Sequence, residues 1–225
     1  MQRRSKLASG FTSFRIFDSV GDGIEGLAID RYDRVLICQV LSQFRQELEV
    51  ELSLDLETLA KLTNTETIYL RIRNPSAEKL SSQVIECIFG SPKASFTISE
   101  SDLAFLIKPE EHLNAGLFLD TRNIRSRLRN ISLGKRVLNT FCFSGTLGVA
   151  AAVGGASEVV QLDSSKSALN WARENYHLNA ENIKANIRYI PDHVPRFLEK
   201  EIRRIQNGRP SFDIVVLDPP AFGRA

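Results

Sequence analysis

The chain has 225 residues, 43% hydrophobic and 25% charged, which is the composition of a globular protein and enough for one large domain or two small ones. Its 29 basic residues nearly balance its 27 acidic ones, and the net charge of +2 excludes a histone-like mode of nucleic-acid binding while leaving room for a local basic face. The three cysteines, Cys38, Cys87 and Cys142, form no CxxC pair, so neither a disulfide scaffold nor a cysteine-based zinc site is expected.

Residues 1–13 are basic and small and read as a lead. No apolar core follows the basic start and no apolar run approaches membrane-spanning length, so the expected location is the cytoplasm. Phe14-Arg15-Ile16-Phe17 alternates, and Gly21-Asp22-Gly23 turns. Residues 27–30 and 35–40 read as paired strands joined through Arg31-Tyr32-Asp33-Arg34. Leu48, Leu52, Leu56, Leu59 and Leu62 form a helical stripe over 47–62. Further strands are predicted at 67–73 and around 84–89, where Cys87, like Cys38 before it, is expected as a small buried hydrophobe. Strand, strand, helix, strand, strand predicts a small α+β domain within 14–106.

Residues 108–112 are a polar link, and Gly116-Leu117-Phe118-Leu119-Asp120-Thr121-Arg122 leads into a helix predicted over 123–130. Arg122, Arg125, Arg127 and Arg129 are a candidate face for RNA phosphates, with a solvated helix face as the alternative. The run of Arg196, Lys200, Arg203, Arg204 and Arg209 has the same two readings and is assigned to solvent. His112, His177 and His193 show no ligand spacing, so no metal is assigned.

The stretch 135–163 reads as a strand at 136–139, a loop at 140–145 closing on Gly145, a helix of small residues at 146–154, and a second strand at 158–162 that ends in Asp163. Such a turn leaves backbone amides free at the helix head, and an acid at this spacing can reach ribose hydroxyls. By itself the loop is equally an ordinary turn. Its two phenylalanines, Phe141 and Phe143, crowd out a pyrophosphate and suit a ligand without one, such as S-adenosyl-L-methionine. Asp163 would then hold the ribose, and the loop from Asn139 through Phe141, Phe143 and Ser144 to Gly145 the methionine end.

A helix over 167–179 with Leu169, Trp171, Ala172 and Tyr176 on its apolar side precedes a third strand at 187–190, which ends near Asp192. A fourth apolar strand, 212–217, runs into Asp218-Pro219-Pro220-Ala221-Phe222. The prolines stop the strand at the edge where open α/β sheets bind ligands. An aspartate there can accept from a base amine, and the aromatic behind it can stack on a flipped base.

In order and spacing, the blocks 116–122, 137–148, 159–164 and 213–222 resemble class I S-adenosylmethionine-dependent methyltransferases of large-subunit ribosomal RNA, the cytosine-5 group and its guanine-N7 relatives. The block 21–32 is similar to that family's small middle domain. The resemblance implies an α/β fold: a Rossmann-like class I methyltransferase sheet over 107–225, incomplete with about four parallel strands, behind the α+β domain. It also implies ribosomal RNA as partner. Phe118, Asp120 and Arg122 would close over the cofactor, with Ser164 beside Asp163. Asp192 would meet the adenine amine, with a helix cap as an equal alternative. Asp218, Pro219, Pro220 and Phe222 would bound the pocket for the target base.

Members of the family often begin with an RNA-binding PUA domain, which the short lead does not resemble, and Thr146 stands where many relatives have a second glycine. In the usual winding the strand at 213 lies beside the first and forms an edge, although its sequence reads as buried on both faces. The expectation is therefore an N-terminal portion of a longer protein, or a chain completed by a partner, with a dimer left open. Methylation at cytosine C5 needs a thiolate to add to the ring. Relatives carry that cysteine after the next strand, and Cys142, in the cofactor loop, is a poor candidate. A guanine N7 or N2 target, a catalytically incomplete RNA-binding relative and, last, a nicotinamide oxidoreductase are the alternatives.

Overall fold

In the computed structural model the residues described are 10–44, 56–74, 84–111 and 114–219. They fall into two compact units, Met1–Ser101 with Ile107–Leu119, and Asp102–Leu106 with Asp120–Ala225. The division differs from a cut at 106/107 because short stretches are exchanged. Ala104 and Leu106 bond through their backbones to the side chains of Asn179 and Asn175 in the second unit. Lys108 N–H instead donates to Ala115 O within the first.

The first unit is built on five strands in sequential order: β1 (Ser13–Asp18), β2 (Leu27–Tyr32), β3 (Val35–Leu41), β4 (Thr67–Arg73) and β5 (Val84–Phe89). β3 and β4 are parallel, and a parallel pair needs a crossover. That crossover contains α1 (Leu56–Thr63). Alternation puts Leu27, Ile29, Leu36, Cys38, Val40 and Ile68 on one face, where they enclose Ala60, with Leu56 and Leu59 against them. Leu62 leaves the stripe and is 81% exposed. The part of the predicted helix over 47–55 lies outside the described residues. Cys38 is buried as expected, whereas Cys87 is half-buried and donates Sγ–H to Phe89 O.

The other face of this sheet is polar. Arg15 donates through Nε and Nη2 to both oxygens of buried Asp30, which also accepts from Gln39. β2 runs on through Tyr32, so the connection to β3 shrinks to Asp33-Arg34, with Asp33 at φ +54°. Tyr32 donates its hydroxyl to Leu117 O, and the buried Arg71 guanidinium donates to the carbonyls of Pro109 and Glu111. Burial pushes the Arg71 guanidinium down to about 10. The hairpin of β6 (Phe96–Glu100) and β7 (Leu103–Ile107) then carries the chain onward.

The second unit contains α2 (Arg122–Ile131), β8 (Arg136–Thr140), α3 (Thr146–Val153), β9 (Glu158–Asp163), α4 (Lys166–Leu178), β10 (Asn186–Pro191), α5 (Val194–Gln206) and β11 (Ile214–Leu217). Its four-stranded sheet is parallel, in the order β10-β9-β8-β11. Leu138, Val160 and Leu162 pack against Val194 and Phe197 of α5. Ser165 caps α4 by accepting from Ala168 N–H, and Pro195 sits in the first turn of α5, where no amide is lost. β11 lies beside β8 as predicted, but it is not buried on both faces. Among the described residues it has a single neighbouring strand, and Val215 and Leu217 are 54% and 63% exposed.

Candidate functional site

Strand register sets the rim of the second sheet. Pro191 pairs with Asp163, and Thr140 pairs with both Leu162 and Leu217. Phe141, Asp163, Pro191 and Asp218 therefore stand at one level on four adjacent strands, with Asp192 a step beyond, at the carboxyl edge where open α/β sheets receive ligands. This brings together the loop, Asp163, Asp192 and Asp218, which the sequence singled out separately.

The loop is held in a demanding shape. Phe141, Phe143 and Gly145 all have left-handed backbones, at φ +50°, +49° and +73°. For the two phenylalanines this costs on the order of 1 kcal/mol each, so the surroundings must impose it. They do so through five hydrogen bonds. Cys142 N–H donates to Leu162 O, Phe143 N–H to Asp163 Oδ2 and Gly145 N–H to Cys142 O. The carbonyls of Ser144 and Gly145 accept from Asn175 Nδ2 and Gln161 Nε2. The ring of Phe143 leans on Trp171 at 5.3 Å between centroids, and that of Phe141 joins the core beside Leu138.

Gln161 was not among the predicted site residues. It is fully buried, accepts from Asn139 Nδ2 at 2.8 Å and donates to Gly145 O at 3.0 Å, with the Tyr176 hydroxyl at 3.3 Å. The available signal was an amide inside the apolar run Val159–Leu162, since a buried polar side chain requires partners. Asn175, within the apolar side of α4, carried the same signal. The two loop glycines answer to this network. A Cβ at Gly148 would stand 2.2 Å from Gln161 Nε2, and one at Gly145 would stand 2.7 Å from Ala172 Cβ. Asn139 and Ser144 are buried, 1% and 2% exposed, and Asn139 donates to Gln161 beneath the loop.

Asp163 is half-exposed, and its two oxygens accept from the amides of Phe143 and Ser165. A carboxylate has about four acceptor positions, so capacity for hydroxyl donors remains. Ser164 is exposed beside it. Asp192 accepts from His193 N–H on Oδ1 at 2.9 Å and from Lys200 Nζ on Oδ2 at 3.0 Å, and it forms an ion pair with Arg196 at 3.2 Å. The hydrogen bond from Lys200, with help from His193 and Arg196, holds its carboxyl below the usual range. The capping position of α5 belongs to His193. Asp218 and Pro219 are exposed at the rim, while Pro220 and Phe222 lie outside the described residues.

Asp120 is exposed in the turn before α2, and Arg122, half-buried, opens that helix. Phe118 belongs to the first unit and is 44% exposed. The candidate RNA face on α2 needs correcting. Arg125 is 1% exposed, donates to Thr121 Oγ1 and lies over the Phe105 ring at 5.6 Å, so it cannot meet a phosphate. Arg129, one turn later, points the same way and pairs with Asp102 at 3.7 Å. Arg127 is exposed. Cys142 is 7% exposed, and burial pushes its thiol well above the usual range, which disqualifies it as a nucleophile.

A parallel sheet wound in this order, with a tight loop after the first strand and an acid after the second, defines a nucleotide-binding α/β domain of the Rossmann-like class. The sequence profile of the S-adenosylmethionine-dependent methyltransferases matches residues 18–225, and the chain belongs to that family. It is 32% identical over 221 residues to the ribosomal RNA large subunit methyltransferase I of Aeromonas hydrophila, covering 96% of this chain and 53% of that protein. The enzyme of the same name from Shewanella frigidimarina is also 32% identical, with 95% and 52% covered. The chain thus spans about half the length of the curated relatives it matches. A solved protein assigned as a methyltransferase and complexed with SAH superposes with a TM-score of 0.84 at 25% identity, over 99% of this chain and 56% of that one. A tRNA m1G37 methyltransferase from M. jannaschii shares the fold at a TM-score of 0.58 and 17% identity, with 88% and 55% covered. The cofactor of the family is S-adenosylmethionine, and the rim fits it: amides and a bulky loop in place of a pyrophosphate cradle, and two carboxylates on adjacent strand ends.

Proposed function

We propose that the protein methylates a base of large-subunit ribosomal RNA, with cytosine C5 as the favoured atom. The observation that carries the reading is the common level of the 141–145 loop, Asp163 and Asp218 on adjacent strand ends, with Asp192 one step on. The names of the curated relatives support the RNA class. The choice of C5 rests on the likeness of the blocks around Phe141 and Asp218 to the cytosine-5 group.

In this reading Asp163 accepts from the ribose hydroxyls and Asp192 from the adenine amine. Phe141, Phe143 and Gly145 shape the wall around the methionine end, with Asn139 and Ser144 bracing it from beneath. Ser164 lines the ribose, and Asp120 and Arg122 close the site. Asp218 accepts from the target base, and Pro219 fixes its backbone. Arg127 remains the arginine on α2 suited to a phosphate. The bound donor supplies an electrophilic methyl on a good leaving group, so the residues contribute mainly proximity and orientation. Cys38 and Cys142 are buried thiols, raised by that burial, the first to about 12.

Two measurements on the full chain test this. Calorimetry with S-adenosylhomocysteine should show one site; its absence would overturn the whole reading. Transfer of labelled methyl to large-subunit ribosomal RNA, followed by nucleoside analysis, should yield 5-methylcytosine. Label found only in methylguanine would replace cytosine with guanine as the target.

A further inference from the structure

At the rim, β8 is tied to its two neighbours by different means. On one side the Cys142 amide donates to Leu162 O at 3.1 Å, and the next residue of β9 is Asp163. On the other side the Thr140 hydroxyl donates to Val216 O at 2.8 Å, two residues before Asp218. Thr140 is fully buried at the last position of β8, directly before the left-handed Phe141. A buried hydroxyl needs a partner, and valine would fill the same space without one. β11 depends on such ties, because it is only four residues long, has one neighbouring strand among the described residues, and leaves Val215 and Leu217 more than half exposed. Its entry is anchored from β8: Arg136 N–H donates to Asp213 Oδ2, Asp213 N–H donates to Arg136 O, and the Arg136 guanidinium donates to Ser211 O and lies over the Phe212 ring at 5.1 Å. At its exit Pro219 has no amide to give, and the hydroxyl of Thr140 holds the strand there.

We infer that Thr140 is a positioning residue for methyl transfer, whose hydroxyl fixes the end of β11 and with it the place of Asp218 relative to the cofactor loop. This deepens the proposed function and rests on its assignment of Asp218 to the target base. The two ties have different consequences. The one to β9 is made by a backbone amide, so a substitution at 140 that keeps the side chain's volume leaves the loop and Asp163 where they are. The one to β11 goes with the hydroxyl, and Asp218 then shifts against a cofactor that is still bound. Transfer is sensitive to that shift, since the reacting atoms must be held about 3–3.5 Å apart and in line.

The test compares Thr140→Val and Thr140→Ser with the unsubstituted full chain. Thr140→Val should bind S-adenosylhomocysteine in calorimetry as the parent does. Its kcat for transfer of labelled methyl from S-adenosylmethionine to large-subunit ribosomal RNA should fall by about tenfold, short of the roughly hundredfold that a 1 Å misplacement costs. Thr140→Ser, which keeps the hydroxyl, should restore kcat. The amide hydrogens of residues 214–217 should exchange faster in Thr140→Val than in the parent, and those of 158–163 should not. Should Thr140→Val fail to fold, Thr140→Ser against Thr140→Ala makes the same comparison, since both lack the methyl group and differ only in the hydroxyl. A folded Thr140→Val protein with the parent's kcat, or with unchanged exchange over 214–217, would overturn the role of Thr140 and leave the methyl-donor site intact. Equal losses of cofactor affinity and transfer would overturn it too, because the split between binding and turnover is what positioning predicts. No binding of S-adenosylhomocysteine, or no transfer, by the unsubstituted protein would instead overturn the proposed function, with the exchange comparison still deciding whether the hydroxyl holds β11.

Discussion

Gln161 and Gly145 are joined across 3.0 Å by a hydrogen bond from the buried side-chain amide to the carbonyl that closes the loop. The same side chain holds Asn139. Replacing Gln161 by Leu strands the Asn139 amide in an apolar interior, at about 1–3 kcal/mol for a buried group left unpaired, and leaves Gly145 O to the Val149 amide alone. Urea unfolding should show the loss, and affinity for S-adenosylhomocysteine should fall with it. A variant as stable as the parent would remove Gln161 from the support of the loop.

Gly148→Ala acts on the same amide from the other side. Its Cβ would sit 2.2 Å from Gln161 Nε2, so the side chain must leave its place, at about 1–3 kcal/mol for overpacking. Thermal unfolding should show a lowered midpoint. The double variant with Gln161→Ala should lose less than the sum of the two, because the clash partner is gone.

Asp163→Ala should weaken S-adenosylhomocysteine binding by about 1–3 kcal/mol, the scale of a charge-assisted hydrogen bond. It also frees the amides of Phe143 and Ser165, so the loop should exchange its amide hydrogens faster. Equal affinity in the variant, measured by calorimetry, would count against Asp163 as the ribose ligand.

Arg125 and Arg127 should separate stability from RNA binding. Arg125→Ala removes a buried cation from Thr121 and the Phe105 ring and should destabilise by about 1–3 kcal/mol. Arg127→Ala should leave the unfolding midpoint unchanged and lower the salt dependence of RNA affinity by about one phosphate contact. The reverse pattern would restore Arg125 to the RNA face.

Acid should destabilise the second unit through Glu158. Burial raises its carboxyl, but the hydrogen bonds from Arg136 and Arg188 outweigh burial and hold it below the usual range. A carboxyl lowered on folding stabilises fully above its unfolded value, about 4.3. That contribution is lost as pH falls through the lower folded value. Glu158→Gln should therefore be less stable than the parent at neutral pH, and the gap should close below about pH 4. A gap that is independent of pH in denaturant titrations would exclude this linkage.

Periodicity and punctuation determined much by themselves. Alternating strands, the small-residue helix after Gly145 and the proline stop after Leu217 were legible because each depends on local backbone preference. Parallel winding followed from strands separated by helices, whereas the placing of β11 beside β8 came from the resemblance to the family. The candidate acids were legible for the same reason, since Asp163, Asp192 and Asp218 each end an apolar strand.

Which side chains face the ligand edge and which face inward was decided only in three dimensions. Asn139, Ser144 and Arg125 are polar residues that the sequence offers as contacts. In the fold they are buried, with Gln161 and Phe105 arriving from distant parts of the chain to meet Asn139 and Arg125, and Asn175 donating to the Ser144 carbonyl. The partners of Asp192 lie four and eight residues ahead, on a helix whose charges read as solvated until the carboxylate is placed against it. Local preference acts within a few residues, whereas the satisfaction of a buried polar group depends on what tertiary packing brings to it.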